Sequence, residues 1–323
     1  MFRKSLTVLL LLVLVISCFA VGEAKNNYPN KPIHVIVTFP PGGGNDTIAR
    51  AFAKAMEKYI SQPVVIDNIS GSGGLAGTLE VIKAKPDGYT VLLQDASLNT
   101  MLAFQKNLPF GLKDLEPVAS VYDCPTWILS HKDRKYHNLN NFIEAAKKNP
   151  GKLTVGTAGS TGSQYLMAAA IRGYLNLDYK IVPYSGGGPL KVAILGNHID
   201  VGIIHAPILL PELTDGLIEC LAAGTSMQGI NYVPARKTAT LREMKMPFTF
   251  SSTRGFLVPK RTPVQVRNFL EDLLKKAYND PSIAEFAKTF GFTPSWRGHQ
   301  EYGEFLRDEL AQYKDIIDKY VEQ

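Results

Sequence analysis

The segment Val35-Ile36-Val37-Thr38-Phe39-Pro40-Pro41-Gly42-Gly43-Gly44-Asn45-Asp46-Thr47 decides the fold of this chain. Its β-branched start predicts a buried strand. The proline and glycine run ends that strand, because proline lacks an N–H and glycine favours turns. Apolar residues then recur at helical spacing from Ile48 to Tyr59, and Asn45 or Asp46 is the expected N-cap. A strand, a glycine loop and a helix N-terminus together form a cradle for an anion.

The same pattern returns twice. Residues 180–189 predict a strand, a triple glycine and a helix start, with Pro189 suited to the first helical position. Residues 153–157 predict a strand that leads into the polar loop 158–163 and a helix over 165–175. One such loop is equally typical of an ordinary strand-to-helix turn in a Rossmann-like sheet. Three in one chain predict a site built from converging backbone amides.

Composition limits the classes of function. The chain has 323 residues, 45% of them apolar and 20% charged, enough for one large core or two medium ones. The net charge of +6 becomes +5 without residues 1–24, since Arg3 and Lys4 leave together with Glu23. This mild basicity suits anionic ligands. The basic residues form no run of five or more, so we expect no nucleic-acid partner.

The N-terminus predicts export. Arg3 and Lys4 precede an apolar run over 6–16, the length of a signal-peptide core and too short to span a bilayer. Cleavage after residues 22–24 would remove a signal peptide of residues 1–24. The sequence Val15-Ile16-Ser17-Cys18 also resembles a lipobox, and we favour it slightly because Cys18, which would be lipidated, ends the apolar run. Both alternatives place the mature protein in the periplasm or on the outer face of the cytoplasmic membrane.

Strands and helices alternate over 31–94 and again over 139–225, which predicts parallel sheets with helices on their faces. Ligands bind such sheets beyond the carboxyl ends of the strands, where the glycine loops fall. We expect residues 95–123 to be irregular, residues 118–129 to be extended with a break at Pro125, and 225–250 to form a surface excursion. Helices are expected over 263–278, over 281–290 with Gly291 as C-cap, and over 300–321.

The motifs of catalysis and metal binding are missing. The sequence contains no Gly-x-Ser-x-Gly, no His-Glu-x-x-His, no Cys-x-x-Cys and no Gly-Lys-Ser/Thr. Cys124 and Cys220 are more easily two small core residues than a disulfide. Asp46 is the best candidate for a catalytic group, but an N-cap role suits it better. We therefore expect binding rather than catalysis, with no metal and no cofactor.

Several motifs resemble those of one family, the extracytoplasmic solute receptors of tripartite tricarboxylate transporters, also called Bug or TctC-like proteins. The resemblance covers the chain from Tyr28 to about Ile317. The matching segments are Phe39-Pro40-Pro41-Gly42-Gly43-Gly44-Asn45-Asp46, Gln62-Pro63-Val64-Val65-Ile66-Asp67-Asn68, Pro86-Asp87-Gly88-Tyr89-Thr90, Asn149-Pro150-Gly151-Lys152-Leu153, Val182-Pro183-Tyr184 and Gly291-Phe292-Thr293-Pro294.

The resemblance implies an α/β type II periplasmic-binding-protein fold, with two Rossmann-like lobes and a ligand cleft between them. Residues 25–124 with 249–323 would form lobe 1, and residues 125–248 lobe 2. In such proteins the loops at 41–46 and 184–187 face each other and hold a ligand carboxylate through backbone groups and bridging waters, without an arginine. The implied ligand-binding residues are Phe39, Pro41, Gly42, Gly43, Gly44, Asn45, Asp46, Ser97, Gly159, Ser160, Thr161, Gly162, Ser163, Tyr184, Ser185, Gly186, Gly187 and His205.

The chain departs from the family pattern near the distal half of the pocket. Tyr165 stands where the family often has His, and Ile69 where it often has Arg. An acidic residue is replaced around Ile204-His205, and a tryptophan is replaced near Thr253-Arg254. These changes concern which ligand binds more than the receptor role.

The expected function is capture of a small di- or tricarboxylate by a monomeric receptor and its delivery to permease subunits in the membrane. The alternatives are a sensory receptor for a signalling partner and an exported enzyme. Neighbouring permease genes would favour transport, and a neighbouring histidine kinase would favour sensing. Because backbone donors would hold the ligand, Gly43→Val or Gly187→Val should abolish binding and leave the fold intact.

Overall fold

The computed structural model describes residues 28–105, 107–160, 162–205, 209–225, 238–290 and 292–321. The predicted signal peptide with Cys18, and also Thr161 and Gly291, lie outside the described residues. So do residues 226–237 of the predicted excursion over 225–250. Within the described ranges, no helix has both the length and the apolar character needed to cross a bilayer.

The elements alternate as the sequence predicts. The strands are β1 Ile33–Val37, β2 Val64–Asn68, β3 Thr90–Gln94, β4 Leu115–His131, β5 Thr154–Ala158, β6 Lys180–Tyr184, β7 Val201–His205, β8 Ile218–Ala223, β9 Ser251–Pro259 and β10 Thr293–Arg297. The helices are α1 Gly44–Met56, α2 Leu75–Lys83, α3 Ser97–Phe104, α4 Leu139–Lys148, α5 Ser163–Tyr174, α6 Gly187–Leu195, α7 Leu210–Thr214, α8 Val264–Tyr278, α9 Pro281–Phe290 and α10 His299–Tyr320.

The described strands join in the order β2-β1-β3-β9-β4-β7-β5-β6, with β8 and β10 also paired to β4. Lobe 1 contains the parallel strands β1, β2 and β3, next to the antiparallel β9. Lobe 2 contains the parallel strands β5, β6 and β7. The carboxyl ends of the parallel strands are the edges from which the glycine loops leave, as the sequence predicts.

Strand β4 belongs to both lobes. It pairs with β9 as far as Pro125, and from Thr126 onward it pairs with β7. Residues 118–129 are extended, as predicted, but Pro125 does not break the strand. Proline lacks a ladder donor, and here it stands where β4 exchanges one partner strand for the other.

Both faces of each half-sheet are covered. Val35 and Val37 of β1 pack on one face with helices α1 and α8, while Ile36 packs on the other. Such two-sided burial explains the continuous apolar run of this strand. Helix α1 buries Ile48, Phe52 and other residues of the predicted face, but it ends at Met56, before Tyr59.

Helix α10 connects the cores of the two lobes. Tyr302 and Leu306 pack into a lobe 1 cluster, while Tyr313 and Ile317 pack into the main cluster of lobe 2. The apolar stripe predicted for this helix is therefore core, as expected. Between the two parts, the buried Glu309 accepts hydrogen bonds from Asn99 (2.8 Å) and Tyr313 (3.0 Å).

Two sequence predictions about the fold are wrong in whole or in part, and one strand was not predicted. Residues 97–104 form helix α3, within the segment expected to be irregular. The described part of the predicted surface excursion is only partly at the surface, because Leu241, Met246 and Phe248 pack in the lobe 2 core while Arg242, Glu243 and Lys245 are exposed. Strand β10 is the one that was not predicted; it contains Pro294 and pairs with β4.

Candidate functional site

One cavity of about 730 Å³ lies where the three glycine loops meet. Its wall includes the loop after β1, the loop after β5 and the loop after β6, together with the end of β3 and the start of β9. The predicted convergence of three strand-to-helix turns is therefore present. A cavity of this size is typical of a site for a small molecule.

The conformation of the loop after β1 depends on glycine residues and on a hydrogen bond to Asp46. Gly42 has a φ of 80°, in the left-handed region that favours glycine. Gly43 is the N-cap of α1 and carries no side-chain cap. The prediction of Asn45 or Asp46 as N-cap is wrong, because Asp46 is the third helical residue. Its carboxylate reaches back to accept a hydrogen bond from the Gly42 N–H at 2.8 Å.

Asp46 does not line the cavity, which corrects its predicted ligand contact. Its side chain accepts hydrogen bonds from Arg50 Nε (3.0 Å) and from Asn68 Nδ2 (3.0 Å). Burial opposes ionisation of this carboxyl, but the hydrogen bonds from Arg50, Gly42 and Asn68 outweigh it and lower the pKa. Asp46 therefore remains ionised and fixes the loop that faces the ligand.

The loop after β6 begins helix α6. Gly186 has φ 140° and ψ −178°, a conformation open to glycine and hardly to any other residue. The helix starts at Gly187, so Pro189 occupies the third helical position and not the predicted first. Proline is tolerated throughout this first turn because its missing N–H would have no partner within the helix.

The loop after β5 begins helix α5. Gly159 has a φ of 111°, and the Thr157 hydroxyl donates to its carbonyl at 2.8 Å. Gly162 is the N-cap, and Ser163 is the first residue of the helix. Ser160, a predicted ligand residue, does not line the cavity, because the turn at Gly159 directs the chain so that Gly159, Gly162 and Ser163 face it.

An arginine lines the cavity, which the sequence analysis did not expect. Arg254 of β9 is only 5% exposed. Its Nε donates to Asn45 Oδ1 at 3.2 Å and its Nη1 donates to the Ser252 carbonyl at 2.7 Å. Asp95, at the end of β3, supplies the opposite charge. Burial opposes its ionisation, but Arg254 and the hydrogen bonds from Ser97 lower its pKa.

Two further titratable groups of the cavity are uncharged near neutral pH. Burial, aided by the charge of Arg254, lowers the pKa of His205 to about 3. Burial raises the pKa of Cys124 to about 11. The charges on this part of the wall are thus Arg254 and Asp95. Cys124 and Cys220 are both free thiols, in agreement with the expected core role.

Most predicted site residues line the cavity, and Thr161 lies outside the described residues. Those on the wall are Phe39, Pro41, Gly42, Gly43, Gly44, Asn45, Ser97, Gly159, Gly162, Ser163, Tyr184, Ser185, Gly186, Gly187 and His205. Polar wall residues that the predicted set lacked are Ser72, Asp95, Thr100, Gln105, Gln164, Ser252 and Arg254.

The described residues contain no group of three or more His, Cys, Asp or Glu side chains able to hold a metal ion. The chemistry available on the wall is therefore hydrogen bonding and charge. Backbone amides at helix starts and Arg254 favour an anion, and the neutral groups and Phe39 and Phe292 accommodate the remainder of a small molecule.

Comparison with known proteins agrees with the fold. A protein of Agrobacterium vitis, from the TAR-I ttuE-ttuC' intergenic region, is 30% identical over 275 residues, covering 85% of this chain and 79% of that protein. The crystal structure of a TctC solute binding protein from Polaromonas superposes with a TM-score of 0.78 and 28% identity, over 90% of this chain and 99% of the other.

Two more distant structures share the fold. MatC from Rhodopseudomonas palustris, with bound malate, has a TM-score of 0.76, 24% identity and a cover of 90% of this chain and 100% of its own. Another R. palustris protein, with adipate, has a TM-score of 0.79, 22% identity and a cover of 91% and 98%.

The family model described as "Tripartite tricarboxylate transporter family receptor" matches residues 48–321. This match spans most of the chain, and the receptor family it describes is not a family of enzymes. Together with the sequence identity and the shared fold, it shows that the chain belongs to the TctC family of periplasmic solute-binding receptors.

Proposed function

We propose that this receptor captures a small organic di- or tricarboxylate in the cavity between its lobes and delivers it to the membrane permease of a tripartite tricarboxylate transporter. One observation carries the proposal. Three helices, α1, α5 and α6, begin at residues that line the same cavity: Gly44, Ser163 and Gly187.

The helix starts supply hydrogen-bond donors. The first bond within α1 runs from the Thr47 N–H to the Gly43 carbonyl, and that within α5 from Leu166 to Gly162. The amides before Thr47 and Leu166 in these helices have no acceptor one turn earlier, because the chain there is not helical. Such amides, reinforced by the helix dipole, bind carboxylates and phosphates.

The cavity also fits the proposed ligand in size. A volume of about 730 Å³ lies within the range of small-molecule sites, and exceeds the needs of one carboxylate group. The relatives with bound malate and adipate carry acids of this kind in the same fold. They support the class of ligand, while the particular acid for this chain is to be found by measurement.

We expect the lobes to close on the ligand. The proposed division is into residues 25–124 with 249–323 and residues 125–248. It is supported by the change of partner in β4 between Pro125 and Thr126, one residue from the proposed boundary. A hinge there would let the loops of lobe 2 approach those of lobe 1. The proposal also includes export, either through cleavage at residues 22–24 or with lipidation of Cys18. It further includes a monomeric state.

The experiment is a calorimetric titration of the purified protein with malate, succinate, adipate and citrate. Gly186→Ala tests the loop mechanism, because alanine cannot keep a φ of 140° and the first-turn amides of α6 would turn away. We expect affinity to fall at least ~10-fold. Gly216→Ala is the matched control, since Gly216 also has a positive φ and open space but lies outside this cavity.

Two outcomes would contradict the proposal. One is the absence of binding heat with every acid of the panel. The other is unchanged affinity of Gly186→Ala for an acid that the unmodified protein binds. Delivery to a permease is tested separately, by uptake of the bound acid in cells with and without the receptor gene, and unchanged uptake would favour the sensory alternative.

A further inference from the structure

The cavity wall holds a side-chain cation that the backbone mechanism does not use. A guanidinium has five N–H donors. Arg254 Nε donates to Asn45, Nη1 donates to Ser252, and the guanidinium also bonds the Cys124 thiol. Nη2 lies 4.0 Å from the position that a Cβ on Gly44 would occupy. Arg254 therefore stands directly beside the start of helix α1, and it lines the cavity.

Two neighbours of Arg254 are incompletely bonded. Asn45 Nδ2 and Ser252 Oγ are buried and have no hydrogen-bond partner. Asn45 is 4% exposed, Ser252 is 1% exposed, and both line the cavity. An unsatisfied buried donor destabilises the fold, so such groups are rare in folded proteins. A carboxylate in the cavity would supply the missing acceptor for Asn45 Nδ2.

The charges around Arg254 make it available to a ligand. Asp95 is ionised and compensates the buried cation, which makes the burial tolerable. His205 and Cys124 are neutral near pH 7. The thiol of Cys124 is only a weak hydrogen-bond acceptor, so it does not replace an oxygen partner. The Asp95 carboxylate, which is the counter-charge of Arg254, also accepts a hydrogen bond from the Ser97 N–H. A ligand carboxylate can therefore bind Arg254 while Asp95 keeps a second partner.

We infer that Arg254 and Asn45 form a side-chain seat for one carboxylate of the ligand, beside the start of α1, and that this seat decides between an acid and its neutral amide. The inference rests on the proposed function and deepens it. Backbone N–H groups donate to a carboxamide oxygen as well as to a carboxylate, although less strongly, whereas a buried guanidinium adds a full positive charge that favours the carboxylate.

The test compares each acid with its amide. Succinate, adipate and citrate, and the corresponding neutral amides, are titrated into the unmodified protein and into Arg254→Met. We expect the variant to bind the acids about 10- to 100-fold more weakly and the amides within about threefold of the unmodified protein, because only the charge-assisted bonds are lost. The preference for acid over amide should fall by the same 10- to 100-fold factor.

Arg297→Met is the matched control. Arg297 is a partly buried arginine of lobe 1 that pairs with Asp123 at 2.8 Å and lies outside the cavity. Its loss removes an ion pair of the fold and should leave the preference for acid over amide unchanged. A shift of that preference as large as in Arg254→Met would overturn the inference.

A second variant tests the carboxylate seat even if Arg254→Met does not fold. Asn45→Asp is isosteric, suits the first turn of a helix and pairs with Arg254. We expect a melting temperature no lower than that of the unmodified protein and at least ~10-fold weaker acid binding, because the seat then carries its own carboxylate. Unchanged acid affinity in Asn45→Asp would refute the seat.

The outcomes separate this inference from the proposed function. If the unmodified protein binds none of the acids, the proposed function fails. If it binds an acid and Arg254→Met keeps the full preference for that acid over its amide, only the seat is refuted and the amide-based mechanism stands.

Discussion

Replacement of Glu309 by glutamine should remove the loss of folding stability that Glu309 causes as the pH rises. Burial raises the pKa of Glu309 from its ordinary 4.5 to about 8, although hydrogen bonds from Asn99 and Tyr313 oppose the rise. The folded protein therefore holds this proton more tightly than the unfolded chain does. The stabilisation is fully present below pH 4.5 and is lost as the pH rises through 8.

The size of the effect follows from the shift. Each pKa unit corresponds to about 1.4 kcal/mol, so the contribution of Glu309 to the free energy of unfolding should fall by about 2 to 4 kcal/mol between pH 5 and pH 8. Glu309→Gln has no proton to lose and keeps an acceptor for the Tyr313 hydroxyl. It should therefore gain stability relative to the unmodified protein as the pH rises.

Urea unfolding of both proteins at pH 5, 6.5 and 8 measures this difference, and other titrating groups cancel because they are common to both. We expect the free energy of unfolding of Glu309→Gln, minus that of the unmodified protein, to increase steadily over this range. A difference that is constant with pH would show that Glu309 is ionised in the folded protein, and would refute the description of its surroundings.

Three further predictions follow from the cavity and the loops. Affinity for an acid that is itself fully ionised should be constant between about pH 5.5 and 8, because the pKa of His205 is about 3, that of Cys124 about 11 and that of Asp95 is lowered; a change above threefold in calorimetry would contradict this. Asp46→Ala should weaken acid binding at least ~5-fold and lower the melting temperature, because it releases the Gly42 N–H and Arg50; equal affinity would show that the loop holds its shape unaided. The melting temperature should be the same with and without a reductant, since Cys124 and Cys220 are free thiols; a fall on reduction would reveal a disulfide.

The alternation of strands and helices was predictable from the sequence because its signals are local. Strand β1 is a β-branched run, and the glycine loops mark where helices begin. Helix α3 was missed because Leu98, Asn99 and Met101 are all buried, and a helix covered on every side lacks the polar and apolar alternation that reveals a helix. The buried segment around Phe248 shows no periodicity either, since its side chains pack from an irregular chain.

The site was predictable in its backbone and not in its charges. Three glycine loops pointed to converging amides, but Arg254 is 209 residues from its partner Asn45 in the sequence. Locally, Arg254 follows the polar run Ser251-Ser252-Thr253, so nothing in its neighbourhood marks it as buried. Its partners Asn45 and Asp95 come together only through the pairing of β9 with β3 and β4, which no local pattern encodes.

The most direct test of the central claim is a crystal structure of the protein with the tightest-binding acid of the panel. We expect one carboxylate of the ligand within hydrogen-bond distance of the first-turn amides at Gly44 and Gly187, directly or through one water. An acid bound elsewhere, or in the cavity with its carboxylates turned away from all three helix starts, would contradict the account.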